Sequence, residues 1–330
     1  MSGVGIEVVK TIVRLEALAP EWAALWQRVP ATTPFQSPAW LVPWWRHFRP
    51  GRLSTVGLWR AGRLTGVLPL YHADESPGGN LRLLGGGNTD YLDALVEPGC
   101  ARELGPVIGE ALAQIREPDE AVRLERLPAW SPLACVEGDF DRGREDEPCP
   151  VLDLPHGSRS CWKDARYLLR RLGRMDGFAI RTAGGDDLGV AIDCLAALHA
   201  SRWAERGMPG IFADPTNAAF LREAAAALLD AGVLRCHLLQ LQGRVVAAHL
   251  GMVAKGRAYH YIAGFHPAVA RLSPGSALLA HAIEDAERNG ARAFDFLRGA
   301  EDYKYHWGAE DQWTQRLVST HTFSTVSSSG

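Results

Sequence analysis

The chain has 330 residues, 47% of them apolar and 22% charged, with a formal net charge of −3. That is the balance of a globular protein long enough for two domains. The acidic pI near 6.4 disfavours a dedicated nucleic-acid binder, which carries a basic excess.

The first residues lack the charged-then-apolar layout of a leader. No apolar run approaches the ~20 residues that span a bilayer, so a cytoplasmic location is expected. Cys100, Cys135, Cys149, Cys161, Cys194 and Cys236 are scattered without a CxxC pair. They read as reduced thiols, and no metal site is expected.

Residues 6–13 alternate like an edge strand. Pro20 is placed to open a helix from Glu21 to Val29, and Ser37-Pro38 to start a second through Phe48. Trp22, Trp26, Trp40, Trp44 and Trp45 are expected to wedge these helices onto a sheet. A hairpin follows, Thr55–Trp59 and Leu64–Tyr71 around Ala61-Gly62. A strand at Tyr91–Val96, a helix over 104–115 and a strand at Val122–Leu127 complete the first half. Residues 137–150, charged and holding glycine and proline, read as a linker loop.

The second half starts with a short strand at Val151–Leu154. A helix over Ser160–Arg174, a strand at Phe178–Thr182 and a long helix over Asp187–Arg206 come next. Asp214-Pro215 opens a further helix. Strands Leu234–Leu241, Val245–Val253 and Ala258–Gly264 lead through a Pro/Gly loop to a helix over Ser276–Asn289, stopped by Gly290. Strand Ala293–Leu297 and a last strand near Trp313–Phe323 end the pattern, with a frayed tail.

The halves repeat. VGLWRAGRLTGVLPLY (56–71) and HLLQLQGRVVAAHLGMV (237–253) are each strand, Gly-Arg turn, strand. Two helices precede each hairpin; a strand, a loop, a helix and a strand follow it. The repeat length implies duplicated domains with mixed sheets and flanking helices.

This order, met twice, resembles the GNAT fold. FQSPAWLVPWWRHF (35–48), LRLLGGGNTDYLDALVEPG (81–99), LHASRWAERGMPGIFADP (198–215) and FDFLRGAEDYKYHWGA (294–309) resemble the CelD-like, cellulose-biosynthesis-type acetyltransferases. These are relatives of the Fem-type aminoacyl transferases. The resemblance runs over about residues 10–320 and is sharpest at Tyr303-Lys304 and Trp307-Gly308. It implies an α/β protein of two tandem GNAT-like domains with mixed sheets. Residues 1–136 would shape the acceptor cleft with a degenerate donor site, 137–150 would link, and 151–330 would bind the donor and catalyse. Ala300 and Asp302 stand where the family often has Asp and Pro, so no role passes to those positions.

Acyl transfer needs a held donor carbonyl, amides for the oxyanion and a helix N-terminus for the diphosphate of CoA. Gly264, Phe265, His266, Arg271, Ser273, Gly275, Ser276 and Ala277 are the expected donor-binding residues. The spacing from Arg271 is one residue longer than the common pyrophosphate motif. At the strand end, Glu301 is the candidate general base if burial raises its pKa, Tyr303 the proton donor to the thiolate, and Lys304 a stabiliser of negative charge, beside Asp295. Arg202, Trp203, Arg298 and Trp307, with Asp90, Tyr91 and Asp93 behind Gly85-Gly86-Gly87, are expected at the acceptor side. His260 and His266 read mainly as sheet and loop residues. Glu97 at the first half's helix entry would repel a phosphate there.

No GxSxG elbow or Cys/His pair is present, which favours direct transfer in a ternary complex. The expected reaction moves an acyl group, in the first instance acetyl, from acyl-CoA to an amine or hydroxyl of a small molecule or saccharide. An aminoacyl-tRNA-dependent, Fem-like activity is the alternative. The run Arg159, Lys163, Arg166, Arg170, Arg171, Arg174 offers it a basic helix face. A non-catalytic binding module is the third reading.

Overall fold

The computed structural model describes residues 3–74, 79–157 and 160–319. Arg159 and the tail from 320, including the end of the last expected strand, lie outside the described residues. The chain divides into two compact units, Met1–Asp146 with Trp313–Gly330, and Glu147–Gln312.

The first unit runs β1 (Gly5–Val9), α1 (Ile12–Arg28), α2 (Pro38–Phe48), β2 (Gly51–Leu53), β3 (Thr55–Arg60), β4 (Arg63–Leu68), β5 (Leu70–Ala73), β6 (Asn80–Leu83), β7 (Leu95–Val96), α3 (Ala101–Ile115) and β8 (Ala121–Leu127). Helix α1 starts earlier than Pro20 suggests. Thr11 caps it by accepting the amide of Arg14 at 3.3 Å, and Pro20 lies inside the helix. The tryptophans are core, as expected. Trp22, Trp26 and Trp40 donate their indole N–H to Gln36 O at 2.9 Å, Thr33 O at 2.8 Å and Thr89 Oγ1 at 2.8 Å. Each large apolar ring is thus buried with its one polar atom satisfied.

Strand β9 (Phe140–Asp153) occupies most of the stretch expected as a linker loop. Its charged residues are largely exposed while Pro148–Leu152 is buried, so exposed charge does not prevent pairing. Arg144 also lies 3.7 Å over the Trp313 ring.

The second unit continues α4 (Ser160–Leu172), β10 (Ala179–Ala183), α5 (Leu188–Ala204), α6 (Pro215–Asp230), β11 (Leu234–Leu241), β12 (Arg244–Ala254), β13 (Arg257–Phe265), α7 (Pro274–Arg288), β14 (Ala293–Asp295) and α8 (Asp302–His306), after which β15 (Glu310–Ser319) returns from Trp313 onward to the first unit and pairs antiparallel with β8. Its sheet runs β10-β11-β12-β13-β14, antiparallel except for the last pair. Residues 151–153 of β9 add to β14. Asp214 caps α6 through Thr216 N at 2.8 Å, as the Asp-Pro signal implies.

Both units follow one order: strand, two helices, hairpin, strand, helix, strand. In the first unit the strands form an antiparallel sheet, β1-β3-β4-β7, and a separate mixed run, β8-β6-β5-β2; in the second they form the one mixed sheet just given. Each also contains one parallel pair made on either side of a helix. In the first unit Asn80, Leu81 and Arg82 pair with Ala121, Val122 and Arg123. In the second, Arg257, Ala258 and Tyr259 pair with Ala293, Phe294 and Asp295.

Candidate active site

What happens beyond these short parallel pairs distinguishes the units. In the first, the chain returns beside β8. Leu92 N donates to Arg126 O at 3.0 Å, and Arg126 Nη1 to Thr89 O at 2.7 Å. Tyr91, Leu92, Asp93 and Ala94 are buried there. The segment expected as a strand at Tyr91–Val96 is therefore mostly an irregular plug. Asp93 is buried, accepts Ser131 Oγ at 2.5 Å and Ala94 N at 2.9 Å, and has its pKa pushed well up by burial. Tyr91 is likewise sealed, its carbonyl accepting Gln36 Nε2 at 2.7 Å. Neither presents a substrate-binding side chain; Asp90 is half-buried. Glu97 precedes α3 and is held by Arg28 at 3.1 Å and Arg63 at 2.8 Å.

In the second unit β13 and β14 separate after Tyr259 and Asp295. β14 stops because Leu297 takes a left-handed φ of 61°, with its amide held by Asp295 Oδ1 at 2.8 Å. β13 carries a bulge: Ile262 faces Leu250 and His260 faces Gly251, so Tyr261 is the extra residue. A bulge at a strand edge re-aims the local amides and side chains. Gly264 lies against α5, where a Cβ would meet His199 N at 2.5 Å.

Several side chains gather at the separation. His260 stands 6.1 Å from Phe296 and 6.3 Å from Tyr303, ring to ring. Arg202 reaches from α5 to lie 4.9 Å over Phe265. Phe265 in turn touches Gly275 at the start of α7, where a Cβ would stand 3.0 Å from the ring. Trp203 Nε1 donates to His199 Nε2 at 2.8 Å. Among the described residues, Arg202 Nε, His199 Nδ1 and His260 Nδ1 are buried without a hydrogen-bond partner. A buried polar atom left unpaired costs about 1–3 kcal/mol, so this cluster is suited to a polar ligand.

Burial drives the titrations here. It pushes His199 down to about 4, helped by the Arg202 cation. It pushes His260 down to about 3, helped by Lys304 and Arg202. Tyr303 is raised, by desolvation and then by the Glu301 carboxylate. At neutral pH both imidazoles are neutral and the phenol keeps its proton.

The helix start differs from the Ser276 expected. Ser273 adopts φ 52° as the cap, Pro274 is the first helical residue, and Gly275 and Ser276 follow. Ala277 N returns to Ser273 O at 3.1 Å. The Gly275 and Ser276 amides belong to the first turn, where an α-helix has no internal acceptor to offer. Ser276 and Arg271 are exposed; Ala277 is fully buried and packs in the core with Leu172 and Leu278, so it offers no ligand surface. His266 caps the turn Pro267–Leu272 by accepting Ala268 N at 3.2 Å.

Three expected catalytic groups have other engagements. Lys304 is 2% exposed, and its ammonium donates to the carbonyls of Leu297, Arg298 and Gly299 at 3.0, 2.8 and 3.0 Å. Three carbonyls and the Glu301 carboxylate surround the ammonium, so the loop after β14 is tied to α8 and the charge is already engaged. Glu301 pairs with Lys304 at 2.9 Å with its side chain 58% exposed, so it is not the buried carboxylate expected. Asp295 is fully buried and salt-bridged to Arg257 at 2.9 Å. Trp307 packs in the core against Trp162 at 4.9 Å, and Arg298 pairs with Glu147 at 3.4 Å.

Sequence reading missed one feature. His237, His249 and His260 stack across β11, β12 and β13, with ring centroids 5.8 and 4.9 Å apart, and His281 of α7 meets His237 edge-on at 5.1 Å. The positions are far apart in sequence, so only strand register shows the row. Among the described residues no cluster of metal-ligating side chains occurs.

Residues 159–305 match the family model described as acetyltransferase (GNAT) domain. The match covers the second unit's helices and the separated strands β13 and β14. Among solved structures, one described as FemX aligns with TM-score 0.64 and 11% identity over 91% of this chain and 95% of that one. The C-terminal domain (DUF2156) of a putative lysylphosphatidylglycerol synthetase from Agrobacterium fabrum aligns with TM-score 0.62 and 11% identity over 94% and 93%. L-PGS from Bacillus licheniformis aligns with TM-score 0.61 and 12% identity over 95% and 93%. At these identities the likeness concerns fold. No curated protein matches. Among the described residues no helix is long and apolar enough to cross a membrane.

Proposed function

We propose that the second unit is an acyltransferase that takes acyl-CoA, in the first instance acetyl-CoA, and delivers the acyl group to an amine or hydroxyl. The observation that carries this is the parting of β13 and β14 after Tyr259 and Asp295, lined by side chains with unpaired buried polar atoms. The amides of Gly275 and Ser276 suit a diphosphate at the mouth, where an anion is favoured by the helix dipole. The first unit's plug and its Glu97 support a cleft-shaping rather than a donor-binding role there. A cytoplasmic location and the narrower CelD-like assignment belong to the same proposal.

In this reading the acceptor nitrogen or oxygen attacks the thioester carbonyl. The new N–C or O–C bond replaces the C–S bond, and the thiolate leaves. Tyr303, held protonated, donates to the departing sulfur, and its phenolate then takes the proton that the acceptor nitrogen or oxygen loses as the new bond forms. Lys304 is a positioning residue, and Arg202 orients a polar group of the substrate. The acceptor arrives already neutral, because the two histidines at the separation are too weakly basic to accept its proton.

A second reading has one observation in its favour. Lys163, Arg166, Arg170, Arg171 and Arg174 are all exposed on or just after α4, a face suited to the phosphates of an aminoacyl-tRNA. A thermal-shift series with CoA, acetyl-CoA, longer acyl-CoAs and tRNA separates the two. Saturable stabilisation by the CoA compounds supports the first; stabilisation by tRNA alone replaces it with the second.

A further inference from the structure

The first unit contains a cleft of about 600 Å³ lined by Lys10, Trp45, Arg52, His72, Gln114 and Glu117 among others. A second hollow of about 420 Å³ shares Arg52, His72 and Glu117 and adds Asp74, Asp119 and Glu120. The larger has the dimensions of a small-molecule site. The Arg52–Glu117 ion pair, 2.5 Å long and well exposed on both sides, belongs to both linings.

At their junction lies a buried imidazole–carboxylate pair. His72 is 8% exposed and Glu120 2%. His72 Nδ1 lies 2.8 and 2.9 Å from the two Glu120 oxygens. Glu120 also accepts the Glu117 amide at 3.2 Å. A carboxylate on Nδ1 fixes the ring and leaves Nε2 as the nitrogen that can meet a ligand. A buried pair of this kind gives little stability over apolar residues of the same size, so a wall of two hollows is a costly place to keep one without a ligand.

The Arg52–Glu117 pair stands between the lobes, and the other charges are divided. The larger lobe adds Lys10 against the apolar surface of Trp45, Leu53 and Ile115. The smaller adds Asp74, Asp119 and Glu120. We propose that the two lobes form one site for a small zwitterion, an amino acid or short peptide. Its carboxylate sits by Lys10 and Arg52, its ammonium by Asp74 and Asp119, and His72 accepts a hydrogen bond between them. The site lies within the first unit and is independent of the transfer reading.

The test is histidine-selective NMR on the full chain, with the His72 resonance assigned by His72→Asn. The common amino acids and glycyl dipeptides are titrated, beside their N-acetyl and methyl-ester forms. The expected result is a saturable shift of the His72 signal by one or more zwitterions. Capping either end, or making the exposed changes Lys10→Gln or Asp119→Asn, weakens it about tenfold or more. The proposal is overturned if no member of the panel moves the His72 signal, or if the capped forms bind as tightly as the free ones. Loss of CoA binding would leave this outcome untouched.

Discussion

Gly264 and His199 meet backbone to backbone: a Cβ on the glycine would stand 2.5 Å from the His199 amide nitrogen and 2.9 Å from the Leu198 carbonyl carbon. This contact lets α5 approach β13 beside the Tyr261 bulge and so carries Arg202 over Phe265. Gly264→Ala is expected to destabilise the protein by about 1–3 kcal/mol, as overpacking does. Urea unfolding measures this, and an unchanged midpoint would show that the approach is not tight.

Lys304 and Tyr303 are neighbours in different surroundings, the first buried and the second partly exposed. Lys304→Met deprives three carbonyls of a charged donor, and a loss of about 3 kcal/mol is expected. Tyr303→Phe should leave the unfolding midpoint within error and lower kcat about 100-fold, the scale of a lost proton donor. Exposed Glu301 changed to Gln should alter kcat by no more than about threefold. A large kcat loss at Glu301 with stability intact would return the acid–base role to that carboxylate.

Acid should unfold this chain early. His199 and His237 are pushed down to about 4 and His260 to about 3, and His249 lies well below its ordinary value, each first by burial. Their unfolded counterparts bind protons from about pH 6.5, so between pH 6.5 and 4 the unfolded state holds more protons than the folded one. Stability therefore rises with pH through that window and is lost on acidification. At about 1.4 kcal/mol per unit of depression, the summed loss by pH 4 is on the order of several kcal/mol. Urea titrations at pH 7, 6 and 5 check the slope. His249→Phe, an apolar ring in an apolar place, should flatten it.

Much of the scaffold is legible in sequence because its signals are local. Asp214-Pro215 and Gly290 punctuate helices, and Gly-Arg turns mark both hairpins. The site is less legible because it depends on register and long-range partners. The Tyr261 bulge changes the parity of β13 between His260 and Ile262, which simple alternation does not show. Lys304 reads as a catalytic cation until the carbonyls of 297–299 are seen around it. Trp307 and Ala277 fall inside recognisable motifs yet are core. The charged stretch 140–147 reads as loop because its strand partners are distant in sequence.

The basic face of α4 separates the two donor readings. Arg166→Glu with Arg170→Glu should leave acyl-CoA binding unchanged within about twofold, since both side chains are exposed and screening weakens distant charge. If tRNA is the donor carrier, the same pair should weaken tRNA binding tenfold or more and lower its salt dependence. Filter binding at two salt concentrations measures both.

The central claim is that the second unit, and not the first, holds a phosphate-bearing acyl donor at the start of α7. Isothermal titration of acetyl-CoA into wild type, Ser276→Asp and Arg102→Asp tests it directly. Both changes put one carboxylate on an exposed or half-exposed first turn, of α7 and of α3 respectively, where it suits the helix dipole. The expected result is saturable binding by wild type and Arg102→Asp, with affinity reduced at least tenfold in Ser276→Asp. Absence of wild-type binding, or equal affinity in all three proteins, would contradict it.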